Sequence, residues 1–182
     1  DNLLWKAAEL FLKKSTAAKN KGITLSLEKR IPISAGLGGG SSNAGVLLKG
    51  LNDFFGNEFS ESQLIDFGVT LGADVPFFVT EMKSVVATGV GEVLVEANPL
   101  KDCTFLLVNP GIAVSTAEIF RKFALTRANK NSTLTGSRKL DPDKLSLADL
   151  ENDLESTVLQ GLPVINRIKR DMLAAGAERV LM

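Results

Sequence analysis

The stretch Pro32-Ile33-Ser34-Ala35-Gly36-Leu37-Gly38-Gly39-Gly40-Ser41-Ser42 is where the residue types of this chain point most directly to chemistry. Four glycines in five residues, Gly36 and Gly38 to Gly40, cost conformational entropy that no packing requirement explains. They let backbone N–H groups turn toward one point and let a bulky anion approach without meeting a Cβ. A helix beginning directly after them adds its positive end, and Ser41 and Ser42 add hydroxyl donors, so the stretch predicts a phosphate cradle. The plainer alternative is a flexible Gly/Ser linker or a tight turn, although linkers are rarely seated between a patterned strand and a patterned helix. Lys29 comes just before the loop, placed either to approach a nucleotide or to stand in solvent.

Asp74 is the second candidate. It sits in Gly72-Ala73-Asp74-Val75-Pro76, where small neighbours and a rigid proline can hold a carboxylate at the edge of a cleft. Such a carboxylate suits a group that accepts a hydroxyl proton or orients the hydroxyl for phosphoryl transfer. An aspartate near proline is equally a turn or cap residue. Asp66 lies on a helical pattern and faces solvent, and Glu92 follows two glycines and fits a turn.

Spacing rules out other glycine fingerprints. A P-loop needs lysine after its last glycine, and Gly40 is followed by Ser41. The G-x-G-x-x-G pattern meets Ser41 when started at Gly36 and Asn43 when started at Gly38.

Both candidates need elements to position them. Leu3, Leu4, Ala7, Ala8, Leu10 and Phe11 predict an amphipathic helix near 2–14. Ile23, Leu25 and Leu27 alternate with polar residues and predict a strand ended at Ile31-Pro32. Ala44, Leu47, Leu48, Leu51, Phe54 and Phe55 predict the helix after the loop, stopped at Gly56. Ser60 and Gln63 form a capping-box pattern for a helix through Leu71. Val75–Val79 is a short apolar segment that Pro76 bars from a sheet interior, and 84–94 predicts a strand pair or a bulged strand, interrupted by Gly89 and Gly91. After a composition change near Asn98-Pro99, 104–108 predicts another strand, Ser115 to Phe123 a helix, 124–144 a loop, and 159–173 one or two helices stopped at Gly176. Strands and helices mix without a regular βαβ rhythm, which predicts α+β.

Composition narrows the function classes. Lys plus Arg and Asp plus Glu both total 21, so no basic excess points to nucleic acid. Histidine is absent, removing the commonest metal ligand, and Cys103, the one cysteine, predicts a buried structural thiol before Phe105-Leu106-Leu107-Val108. A reducing, cytoplasmic setting is the corresponding expectation, and no apolar run approaches the ~18 residues of a membrane span.

The string P-x-x-A-G-L-G-G-G-S-S-N-A resembles the second conserved motif of the GHMP kinase superfamily. Its GLGGGSS form resembles one branch, which phosphorylates the 2-hydroxyl of a cytidine diphosphate-linked methylerythritol in non-mevalonate isoprenoid biosynthesis. The similarity extends to Asp1-Asn2-Leu3, Lys29-Arg30, Leu51-Asn52, Leu71 to Phe78, Gly89-Val90-Gly91-Glu92, Pro110 with Ser115-Thr116, Asn152 to Glu155 and Gly176-Ala177. It implies a two-domain fold, with a ribosomal protein S5 domain 2-like N-terminal domain over 1–100 and a ferredoxin-like C-terminal domain over 101–182, both incomplete. It also implies ATP and Mg²⁺, residues 32–42 and Lys29 on the phosphates, Asn2 near adenine or else a helix cap, and Asp74 as proton acceptor. The branch carries an earlier lysine, an Asp-Gly-Tyr-His segment for the cytidine end and a late glycine-serine motif. None of these stands in this sequence, so a segment cut at both ends and inactive alone is the expectation. The rivals are a GHMP kinase for another alcohol and a nucleotide-binding relative without catalysis.

Overall fold

The computed structural model describes residues 2–33, 35–112, 114–128 and 140–182. The chain divides into two compact units, Asp1–Pro99 and Leu100–Met182.

In the first unit, α1 (Leu3–Lys14) starts at Asn2, whose Oδ1 accepts a hydrogen bond from the Leu4 amide at 3.0 Å. Lys13 and Lys14 lie in its last turn, where cations complement the helix dipole. Its buried face is Ala7, Ala8 and Phe11, against α2 (Gly39–Phe54), which buries Ala44, Gly45, Leu48 and Leu51. The three-and-four spacing places those residues on one stripe. The predicted capping box starts α3 (Glu61–Leu71), with Ser60 and Gln63 each taking the other's backbone N–H. The Pro76 segment becomes a short helix, α4 (Val75–Val79), with Val75, Pro76 and Val79 buried. Proline is tolerated there because the first helical N–H groups lack intrahelical partners anyway.

These four helices share one core of Ala7, Ala8, Phe11, Ala44, Leu48, Leu51, Leu64, Val75 and Val79. Burying a side chain such as Phe11 or Leu48 contributes about 1.5–3 kcal/mol. Gly45 lets α4 come close, since a Cβ there would stand 2.7 Å from the Phe78 Cβ and 2.8 Å from its carbonyl carbon. The two expected strands of the 84–94 region form an antiparallel hairpin, β1 (Val85–Thr88) with β2 (Val93–Glu96), in register Val85 to Glu96 and Thr88 to Val93.

Two predicted strands do not form. Neither 23–27 nor 104–108 pairs with any described residue, although Ile23 still packs on the core. An alternating or apolar run specifies a face for burial, but a strand exists only through a hydrogen-bonded partner. Phe105, Leu106 and Leu107 are accordingly 65%, 72% and 70% exposed, and Cys103 beside them is half-exposed rather than buried.

The second unit is helical. Ser115 Oγ accepts from the Glu118 amide at the start of α5 (Thr116–Ala128), which runs past the expected end at Phe123. Residues 129–139 of the expected loop lie outside the described residues. The single or double helix expected over 159–173 is a pair, α6 (Glu155–Gly161) and α7 (Pro163–Ala174), tied by the Lys169–Glu155 ion pair. Gly176 follows with φ +99°, as a helix stop requires.

One electrostatic tie fastens the end of α1 to the loop before α3. The Glu58 carboxylate accepts from the Ser15 hydroxyl, the Thr16 hydroxyl and amide, and the Ala17 amide. These bonds, Ser15's first, lower its pKa from 4.5 to about 2. A carboxyl depressed on folding stabilises fully above its unfolded pKa, and that contribution fades as pH falls toward 2. Glu58→Gln should therefore lower Tm most above pH ~5, with the gap from wild type closing toward pH ~2, as read by circular dichroism melts across that range.

Candidate functional site

The start of α1, residues around 27–33 and the glycine loop line one cleft of about 510 Å³. Its floor is the N-terminus of α2. Gly38 takes the left-handed conformation there (φ +62°, ψ 11°), and a Cβ on it would meet the Phe78 ring at 3.2 Å. The first bond that closes α2 runs from the Ser42 amide to the Gly38 carbonyl at 2.8 Å. The N–H groups of Gly39, Gly40 and Ser41 therefore have no intrahelical acceptor, and they add to the positive end of a 16-residue helix. Lys29 brings a full charge to the same place, its Nζ 3.3 Å from where a Gly39 Cβ would stand. Among the described residues no carboxylate pairs with Lys29, whereas Arg30 is paired with Glu28 at 3.1 Å. An anion suits this arrangement on two counts: the orphan donors that make up the helix's positive end, and an ammonium unpaired among the described residues.

Asp74 occupies the cap position of α4 but makes no cap hydrogen bond. Its side chain is exposed, and among the described residues nothing donates to or pairs with the carboxylate. The cap role open from the sequence thus goes unused. Asp74 is not among the cleft-lining residues. It stands four positions before Phe78, and residues so spaced share a helix face. Phe78 is the side chain that meets Gly38 and Gly45, so α4 is seated on the loop's own helix.

The cleft gathers Asn2, Lys29, Pro32, Ile33, Ala35, Gly36, Leu37, Gly38, Gly39, Gly40 and Ser41. Asn2 serves two ends, capping α1 and facing the cleft. Ser42 is absent from the lining and turns into the helix, and Ser34 lies outside the described residues. Leu3, Leu27 and Asn43 also line the cleft and were not singled out from the sequence. Leu27 stands two residues before Lys29, a spacing that in extended chain puts both on one side, and that signal was readable. Asp66 is exposed, and Glu92 is held by its own turn, accepting from the Val90 amide at 2.7 Å. Among the described residues no three His, Cys, Asp or Glu side chains gather as a metal cage. The donor set therefore fits an ion carried by phosphate oxygens better than one held by protein alone.

Residues 2–81 match the family of GHMP kinases N terminal domains. The chain is 45% identical over 182 residues to a 4-diphosphocytidyl-2-C-methyl-D-erythritol kinase from Desulfotalea psychrophila, covering all of this chain and 60% of that protein. It is 42% identical over 181 residues to a kinase of the same name from Pelobacter propionicus, again across the whole chain and 63% of the relative. A crystal structure of 4-(cytidine 5'-diphospho)-2C-methyl-D-erythritol kinase matches all of the chain and 65% of its own length, with a TM-score of 0.68 at 30% identity. The chain spans about 60% of the length of these curated relatives.

Placing a Cβ at Gly38 imposes a left-handed conformation that costs an L-residue about 1–2 kcal/mol, and presses on Phe78. Gly38→Ala should lower Tm by a few degrees and weaken binding of pyrophosphate or ATP about tenfold, checked by calorimetric titration beside a thermal melt.

Proposed function

We propose that the chain, whose residues 2–81 match the GHMP kinase N-terminal domains, is the ATP-holding and base-bearing part of a small-molecule kinase of that kind. The reaction is transfer of the γ-phosphoryl group of ATP to the 2-hydroxyl of 4-diphosphocytidyl-2-C-methyl-D-erythritol. The observation that carries the reading is the convergence of Lys29 and the Gly39–Ser41 amides on the cleft at the open end of α2. The names of the relatives supply the substrate.

In this reading the amides of Gly39, Gly40 and Ser41 hold β- and γ-phosphate oxygens without reorganising, as electrostatic stabilisation of phosphoryl transfer requires. Lys29 neutralises charge on the same oxygens. Asn2, with Leu3 and Leu27 as apolar walls, takes the nucleoside end. Asp74, with its carboxylate unengaged, accepts the proton of the attacking hydroxyl. Mg²⁺ would be held mainly by the nucleotide that the Gly39–Ser41 amides and Lys29 position, and would supply charge neutralisation there. Residues 1–100 then form part of the N-terminal GHMP domain and 101–182 part of the C-terminal one, with the protein working in the cytoplasm. Among the described residues no helix is long and apolar enough to cross a membrane.

The test is phosphoryl transfer by the full-length protein from ATP to the cytidylated methylerythritol, beside galactose, homoserine and mevalonate. Turnover of another alcohol alone would replace the substrate, and nucleotide binding without turnover would remove the catalytic reading. Asp74→Asn should lower kcat by about 10²–10⁴-fold while leaving the Kd for ATP within about twofold, measured by coupled assay and titration.

A further inference from the structure

The loop that carries Asp74 is braced from outside its own helix. Gly91, in the turn between β1 and β2, approaches the Ala73–Asp74 peptide so closely that a Cβ on Gly91 would stand 1.9 Å from the Ala73 carbonyl oxygen and 2.8 Å from its carbon. Its φ of +113° lies where side chains are rarely tolerated, so both its conformation and its contact demand glycine. The turn is also rigid in itself. The Gly91 amide donates to the Thr88 carbonyl at 3.1 Å, and Glu92 folds back to accept from the Val90 amide at 2.7 Å. A Cβ at Gly89 would stand 2.4 Å from the Glu92 Oε1, so that carboxylate fills the space over the turn. On the far side of Asp74, the Val75 amide is tied to the Gly72 carbonyl at 3.1 Å, and Val75 and Pro76 are buried.

We propose that the 88–92 turn is a buttress for the catalytic loop and that Gly91 is a positioning residue for phosphoryl transfer, holding the Ala73–Asp74 peptide so that the Asp74 carboxylate keeps one direction. The functional half of this inference rests on the kinase reading above, and the mechanical half does not. Asp74 has no hydrogen bond of its own to fix it among the described residues, so its direction depends on the backbone that bears it. That backbone is clamped between a helix start on one side and the hairpin turn on the other. Glu92 acts at one remove, by keeping the turn closed.

Gly91→Ala in the full-length protein should lower kcat about ten- to a hundredfold, with KM for ATP within about twofold because the phosphate cradle is untouched. Hydrogen exchange at the Val75 amide should quicken about tenfold while α1 and α2 exchange as in wild type. If Gly91→Ala does not fold, Glu92→Ala opens the turn without a new atom at Ala73 and should move kcat and Val75 exchange in the same direction. Glu92→Gln, which keeps an acceptor for the Val90 amide, should restore both. Unchanged kcat with unchanged Val75 exchange in Gly91→Ala overturns the proposal, as does a loss of kcat matched by faster exchange throughout α1–α3. If the wild-type protein phosphorylates no alcohol, the kinase reading fails separately, and Val75 exchange in Gly91→Ala still decides whether the turn is a buttress.

Discussion

The arrangement depends on the close seating of α4 against α2 through Phe78. The ring lies against Gly38 at the mouth of the glycine loop, and its backbone lies against Gly45 about two turns into the helix. A Cβ at Gly45 would collide with the Phe78 backbone, and one at Gly38 would press on the ring at a φ of +62° that itself favours glycine. Because Gly38 also sets the first turn of α2, the same contact fixes where the free amides point and where the helix bearing Asp74 begins. The placement of α4's start relative to the loop's free amides is thus set by apolar packing.

Much of the site was legible because its chemistry needs unusual residues. Four glycines in five positions have no packing explanation, so the cradle stood out, and the period of Ala44, Leu48 and Leu51 announced the helix behind it. The capping box of Ser60 and Gln63 was readable because a cap is a local event, completed within three residues. Phe78 was not legible, since a phenylalanine in an apolar run reads as core whether it fills a cavity or props a loop. Nor was the contact of Gly91 with Ala73, which joins residues 18 positions apart through backbone alone. The substrate and the role proposed for Asp74 rest on the GHMP resemblance, since residue types alone left that aspartate open between a base and a cap.

The misread strands show where local pattern stops. Ile23, Leu25 and Leu27 have the right alternation, and Phe105 to Val108 the right propensity, yet neither run is paired among the described residues. Helix 3.6-periodicity is satisfied within the element, so α1, α2 and α3 were legible in short windows, whereas α4 and the ends of α5 and α6 were not. A strand's hydrogen bonds lie with a partner elsewhere in sequence, and nothing inside the run says where that partner is. The Val85–Glu96 hairpin was readable because its partner is adjacent.

The bare run of Phe105, Leu106, Leu107 and Val108 has a practical cost for anyone handling this polypeptide. Four consecutive apolar side chains whose amides and carbonyls pair with no described residue form a ready template for sticking to a neighbouring molecule. Lys101 and Asp102 upstream and Pro110 downstream act as gatekeepers, charge at one end and a missing N–H at the other. A charge placed within this tract should therefore reduce self-association at high concentration more than one placed on the balanced surface around it.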